Sequence, residues 1–294
     1  MKKSKTGLYY GALLLVFTIW GSLYVVSKYA LGKIPAFTLI FLRSLVASAA
    51  LLAYLRLRGI GTKVAKEDRR YFLLAGAGGY FLSVGLQTLG TKYASSAMAS
   101  LLNALNPLTI SVMSVLILKE KLTLRKVLGI LVAVAGVYVI LGGVGGDNEL
   151  LGIVCSLASV LIWGFVSTMN KRLTRRYHSL QITAYGVTIA TVLNLIPAAL
   201  EWTREPVRFD VSSVLAVLYM GVFCTGVAHL LWNVCLTHLE ASTCSAFYPL
   251  QPMVSALLGM IFLKERFTMA FAIGAALTVA GILLCVREGR PKAS

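Results

Sequence analysis

The sequence predicts an all-α integral membrane protein: ten transmembrane helices arranged as two inverted five-helix repeats. Three observations predict it. Of the 294 residues, 58% are hydrophobic and 13% charged, where soluble domains carry about 25% charged residues. The apolar residues gather into ten stretches close to the length, about 20 residues, that crosses a bilayer as a helix. The second half of the chain also repeats the first at a nearly constant offset.

The ten stretches are 8–31, 35–55, 71–91, 95–118, 124–143, 150–170, 180–200, 212–235, 241–263 and 268–286. The first follows Met1-Lys2-Lys3-Ser4-Lys5 and superficially resembles a signal peptide. It is longer than the apolar region of such peptides and ends in no small-residue cleavage pattern, so it is expected to remain as the first span. The net charge of +17 does not imply nucleic acid, because the basic residues lie in short runs between apolar stretches. With the N-terminus inside, 20 of the 28 lysines and arginines fall on the cytoplasmic side and 7 outside, with Arg43 within a span. That asymmetry predicts a multi-pass protein of the cytoplasmic (inner) membrane with both termini cytoplasmic.

Residues 100–136 align without gaps on 245–281, an offset of 145. Asn106-Pro107 meets Gln251-Pro252, Leu118-Lys119-Glu120 meets Leu263-Lys264-Glu265, Thr123 meets Thr268, and Ala135-Gly136 meets Ala280-Gly281. Trp20-Gly21 meets Trp163-Gly164 and Lys28 meets Lys171, at offset 143. The units are therefore expected at 1–146 and 147–294. Each holds an odd number of spans, so the second enters the membrane from the opposite side, a plan common among transporters.

In order along the chain, Trp20-Gly21, Arg43, Asn106-Pro107 with Gln251-Pro252, and the endings Leu118-Lys119-Glu120 and Leu263-Lys264-Glu265 resemble the EamA-type branch of the drug/metabolite transporter superfamily. The resemblance spans nearly the whole chain. It implies ten helices, a central cavity, alternating access, and a small-metabolite substrate, often an amino acid that is exported. Gly186 stands where Arg43 would be repeated, so any role of that arginine is not duplicated.

Candidate substrate-contacting residues follow from helical spacing. Trp20, Tyr24, Ser27 and Lys28 share one face, and Trp163, Ser167, Asn170 and Lys171 repeat the pattern. In lipid such a stripe would leave donors unpaired, so a cavity wall suits it; interfacial aromatics and helix–helix hydrogen bonds are the alternative. His229 and Trp232 share a face with Thr225 and Asn233 in span eight, and span three offers Tyr80 and Gln87 at the equivalent stretch. Pro107 and Pro252 are placed mid-span, where each would free the carbonyl four residues earlier, at Asn103 and Tyr248. These breaks serve either as flexible polar points of gating helices or as kinks that shape the bundle.

Arg43, eight residues into its span, is expected to face the interior, with a structural partner favoured over a substrate carboxylate. Glu120 and Glu265 are expected to be ion-paired at capped turns, with Thr123 and Thr268 as N-caps. Gly129, Ala133 and Gly136 and their mates Gly274, Thr278 and Gly281 suit close helix packing. Cys155, Cys224, Cys235, Cys244 and Cys285 fit neither a metal site nor a disulfide framework.

The expected partners are a small-molecule substrate and the lipid bilayer, with no nucleic acid, cofactor or metal. Two further classes remain as alternatives: an integral-membrane enzyme, for which the three histidines and scattered acids form no catalytic set, and a partner subunit without transport of its own. An ATP-driven pump is not expected, since the chain lacks a phosphate-binding loop. All eleven acids fall in loops or at span ends, which leaves His229 as the one proton carrier at depth that titrates near neutral pH. The expected transport therefore runs mainly down the substrate gradient without tight proton coupling.

Overall fold

The architecture is that of a computed structural model, which describes residues 2–61, 63–118, 123–141, 147–204, 206–239, 244–245, 247–266 and 268–286. Every regular element among the described residues is helical. In chain order these are α1 (Lys2–Leu31), α2 (Ala36–Leu57), α3 (Lys66–Tyr93), α4 (Ser96–Asn103), α5 (Asn106–Leu118) and α6 (Leu124–Leu141), then α7 (Asp147–Leu173), α8 (Ser179–Trp202), α9 (Val211–His238), α10 (Leu250–Leu263) and α11 (Met269–Val286). Six of them, α1, α2, α3, α7, α8 and α9, are long and apolar enough to cross a membrane by length and composition. The burial pattern agrees with a lipid solvent. Leu14, Leu45, Leu131, Ile196 and Phe223 are exposed, while Ser100, Thr183, Asn194 and Ser255 are buried.

Two expected spans are not continuous helices. Span four is broken between Asn103 and Asn106, and in span nine the helical residues 244–245 are separated from α10 by the turn at 247–249. The prolines explain both. Pro107 is the second residue of α5 and Pro252 the third of α10, positions where a helix has no internal partner for the missing N–H. The expectation of mid-helix breaks with freed carbonyls is therefore corrected. The Asn103 carbonyl accepts the Asn106 side-chain amide at 2.8 Å, and the Tyr248 carbonyl accepts the Gln251 N–H at 3.0 Å.

The middles of α3 and α9 widen into π-helical turns over Ala75–Ser83 and Met220–Val227. Each wide turn receives a helix from the other half of the chain. A methyl group on Gly76 would stand 2.6 Å from Cβ of Ile189 on α8, and one on Gly221 would stand 2.7 Å from Cβ of Val46 on α2. The same reciprocity recurs. Gly21 packs against Val254 and Gly164 against Thr109; Gly136 lies on Gly274 and Thr278, while Gly281 lies on Gly129 and Ala133. The expected small-residue series thus forms the α6–α11 contact, where backbones meet because Gly136 and Gly281 carry no Cβ.

Lysines close two helix ends in the same reciprocal fashion. Lys28 donates to the carbonyls of Lys92 at 2.9 Å and Ala94 at 2.5 Å, at the C-terminal end of α3. Lys171 donates to those of Leu236 and Leu239 at the end of α9. A cation there satisfies carbonyls that lack helical partners and complements the helix dipole. The Lys33 ammonium, between α1 and α2, sits 2.5 Å from Asp210, at the start of α9. That contact, with the Ser213 N–H capping bond, holds the Asp210 carboxyl well below the usual carboxylate range.

Candidate central cavity

Where the helices converge, the chain encloses a cavity with a free volume of about 40 Å³. The first half supplies Trp20 from α1, Arg43 from α2, Tyr80 and Gln87 from α3, and Asn103 from α4. The second supplies Trp163 from α7, Val187 from α8, His229 from α9, Tyr248 just before α10, and Gln251 within it.

Four rings form its aromatic wall. The Trp20 and Trp163 rings meet edge to face at 6.5 Å. His229 lies 5.0 Å from Trp20, 5.1 Å from Tyr80 and 5.5 Å from Trp163, and Tyr80 stands perpendicular to Trp163 at 5.8 Å. Edge-to-face pairs of this kind contribute about 0.5–1.5 kcal/mol each beyond area burial. Hydrogen bonds fix the rings in rotation. Trp20 Nε1 donates to the Cys224 carbonyl at 3.1 Å, Trp163 Nε1 to the Tyr248 hydroxyl at 3.0 Å, and Asn233 Nδ2 to the Tyr80 hydroxyl at 3.2 Å.

His229 Nδ1 lies 3.0 Å from the Cys224 carbonyl and 3.1 Å from that of Thr225. A carbonyl can only accept, so Nδ1 carries the proton in these contacts. The ring is thereby held as a structural donor against the aromatic rings.

Of the substrate-contacting candidates, Trp20, Tyr80, Gln87, Asn103, Trp163, His229 and Tyr248 line the cavity. The other four are absent from its lining. Tyr24 is buried and receives a hydrogen bond from Gln87 Nε2 at 2.7 Å. Trp232 packs against Phe17, Trp20 and Tyr248. Ser167 and Asn170 are buried without reaching the cavity.

Arg43 lines the cavity, and no described residue accepts a hydrogen bond from its buried Nε. Its counterpart Gly186 shows why the arginine is not repeated. A methyl group there would stand 2.5 Å from the Tyr80 ring, which occupies the volume a long side chain would need.

Glu265 departs from the expected ion-paired turn. Its carboxylate accepts from the Ser96 N–H at 2.8 Å and the Ser96 hydroxyl at 2.9 Å, at the start of α4. The end of α10 is thus fastened to a helix of the other half. Thr268 caps α11 as expected, accepting from Phe271 N–H at 3.1 Å. Glu120, Cys285's side chain and the loop 119–122 lie outside the described residues.

Ser44, Ser83, Ser159 and Gln251 also line the cavity, unselected as contacts by the sequence reading. Spacing could have found two of them. Ser83 lies three residues after Tyr80 and four before Gln87, and Ser159 four before Trp163, so each sits on the face already chosen. The two bond to each other, Oγ to Oγ, at 3.0 Å.

A polar and aromatic cavity among apolar-faced helices defines a helical membrane protein with a buried polar centre. Comparison with known proteins makes it particular: the chain belongs to the EamA-like transporter family, whose profile matches twice, over residues 7–142 and again over 150–287. It is a multi-pass membrane protein of that family. An "Uncharacterized transporter" of Archaeoglobus fulgidus is 27% identical over 92% of this chain and 95% of its own length. The "Uncharacterized transporter YetK" of Bacillus subtilis is 30% identical over 94% and 86%. A "Probable terminal-alkyne amino-acid exporter" of Streptantibioticus cattleyicolor is 26% identical over 94% and 93%. A solved crystal structure superposes with a TM-score of 0.72 over 99% of both chains, at 25% identity.

Proposed function

We propose that the chain is a secondary transporter that exports a small organic metabolite, an amino acid or related compound, through the central cavity by alternating access. The observation that carries this reading is the cavity itself. Both halves of the chain supply its wall, and its polar groups are buried near the middles of the helices that carry them, as in carriers that bind cargo at the repeat interface. Trp20, Trp163, Tyr80, Gln87, Asn103, His229 and Tyr248 contact the substrate, with Tyr24, Ser167, Asn170 and Trp232 bracing them from behind.

The reading includes ten membrane-crossing segments in two inverted repeats, 1–146 and 147–294, with α4–α5 and the segment ending in α10 as broken spans. The reciprocal contacts and the double family match support it. The breaks at Pro107 and Pro252, and the Glu265 fastening, are where gating would act. The amino-acid class and outward direction draw on the exporter name carried by the Streptantibioticus cattleyicolor relative. The free volume of about 40 Å³ holds a few water-sized positions, so admission of a metabolite requires helices to separate.

The test is counterflow in proteoliposomes containing the purified chain and preloaded amino acids. Accumulation of labelled substrate is expected, and its absence across the amino acids and related metabolites overturns the proposal. In the same vesicles an imposed pH gradient is expected to leave uptake unchanged, because no described carboxylate lines the cavity to carry a proton. Concentrative uptake that needs the gradient, and disappears in His229→Ala, refutes the uncoupled mechanism. For orientation, both termini are proposed to be cytoplasmic. A cysteine at Asn148 is expected to react with impermeant maleimide added outside intact cells; labelling confined to inverted vesicles reverses the topology.

A further inference from the structure

We propose that Arg43 is the carboxylate-binding group of the cavity, and that the substrates are small organic molecules carrying a carboxylate; this rests on the reading of the cavity as the transport site. Arg43 is 4% exposed. A guanidinium at such depth costs about 2.5–3.5 kcal/mol to insert, and a buried charge is ordinarily matched by a partner.

Four of the described carboxylates are engaged elsewhere. Asp68 accepts from Arg176 at 2.8 Å, Glu201 from the Thr38 N–H at 2.8 Å, Asp210 from Lys33 at 2.5 Å, and Glu265 from Ser96. No described carboxylate lines the cavity. Arg43 Nε is buried with no acceptor among the described residues, although the cavity adjoins it.

A second donor is in the same condition. Asn106 Nδ2 donates to Asn103 Oδ1 at 3.0 Å, which fixes the Asn103 amide and leaves its Nδ2 buried and unpartnered in the lining. Buried donors without acceptors are rare, and each costs about 1–3 kcal/mol. A carboxylate supplies acceptors for both, and the planar guanidinium fork matches it with two parallel N–H···O bonds. Gln251 Oε1, an unpartnered acceptor in the same lining, suits the ammonium of an α-amino acid. With one cation and no carboxylate, the lining selects against amines that lack an acid group.

The experiment uses the detergent-purified full chain and a probe set of the twenty common amino acids and monocarboxylates from acetate to 3-phenylpropionate. Each is paired with the matching amine or alcohol that lacks the carboxylate. Carboxylates are expected to raise the melting temperature and their partners to leave it unchanged. Arg43→Gln is expected to weaken the response at least about tenfold, with Arg43→Lys intermediate, since lysine keeps the charge but loses the fork.

The assignment is overturned if amines or alcohols stabilise as well as their acids, if Arg43→Gln responds normally, or if no carboxylate stabilises the wild type. The acid-versus-amine comparison needs no variant, so a misfolded Arg43→Gln leaves the proposal falsifiable. Counterflow separates this proposal from the reading beneath it. Carboxylate binding that depends on Arg43 without counterflow keeps the site and refutes transport. Counterflow of amines equal to that of their acids keeps transport and refutes the site.

Discussion

Trp163→Ala is expected to reduce transport by at least about tenfold while leaving membrane insertion intact, and Trp20→Ala to do the same. Trp163 alone holds Trp20, Tyr80 and His229 by their edges and fixes Tyr248 through its indole N–H. Three ring contacts and one hydrogen bond, each about 1 kcal/mol, exceed the 1.4 kcal/mol that corresponds to tenfold. Insertion is set by summed hydropathy across the span, which a single tryptophan hardly changes. Trp163→Phe, which keeps the ring contacts and loses the bond to Tyr248, should fall between. The measurement is counterflow at matched protein per vesicle; normal rates in both alanine variants would remove the aromatic wall from the substrate path.

The second large effect is on stability. Gly281→Ala should lower the melting temperature in detergent by about 5 °C or more and reduce the folded yield, with Gly136→Ala equivalent. The added methyl on Gly281 would stand 2.5 Å from Ala133 N and from Gly129 O. Both are backbone atoms of α6, which cannot rotate aside, so the helices must part. Overpacking of this kind costs about 1–3 kcal/mol, and more where nothing can yield, with a few degrees lost per kcal/mol. Gly11→Ala is the control, since nothing lies within 4 Å of a methyl there. An unchanged melting temperature in Gly281→Ala would refute the interlocking of α6 and α11.

The sequence made the helices legible because length and hydropathy decide whether a segment crosses a bilayer, and those are local properties. It made much of the cavity wall legible because tryptophan, tyrosine and histidine are conspicuous at depth in a span. Two kinds of feature escaped it. The sequence marks Pro107 and Pro252 as flexible gating points or kinks within a span but not as the starts of new helices, since proline spacing shows where a hydrogen bond is missing but not whether a new helix begins there. Layering also escaped: helical spacing puts Tyr24 and Trp20 on one face, yet Tyr24 lies behind Gln87 and Trp20 lines the cavity. Which of two same-face residues reaches the centre depends on crossing angles with other helices, and no local pattern carries those. Glu265 shows the same limit. Its neighbours in sequence are basic, but its partner is Ser96, 169 positions away.

The exchange of Arg43 and Gly186 has a thermodynamic consequence for the proposed cycle. A carrier made of two identical halves would have inward and outward states of equal energy, related by its pseudo-dyad, and would rest half in each. Here one side holds the Arg43 guanidinium in the cavity lining, while the other side has a glycine whose missing side chain is replaced by the Tyr80 ring. That difference lifts the degeneracy. An imbalance of 1.4 kcal/mol already places about ten carriers in one orientation for each in the other. In the proposed cycle the unloaded protein would then have a preferred resting side, to which these two core positions contribute.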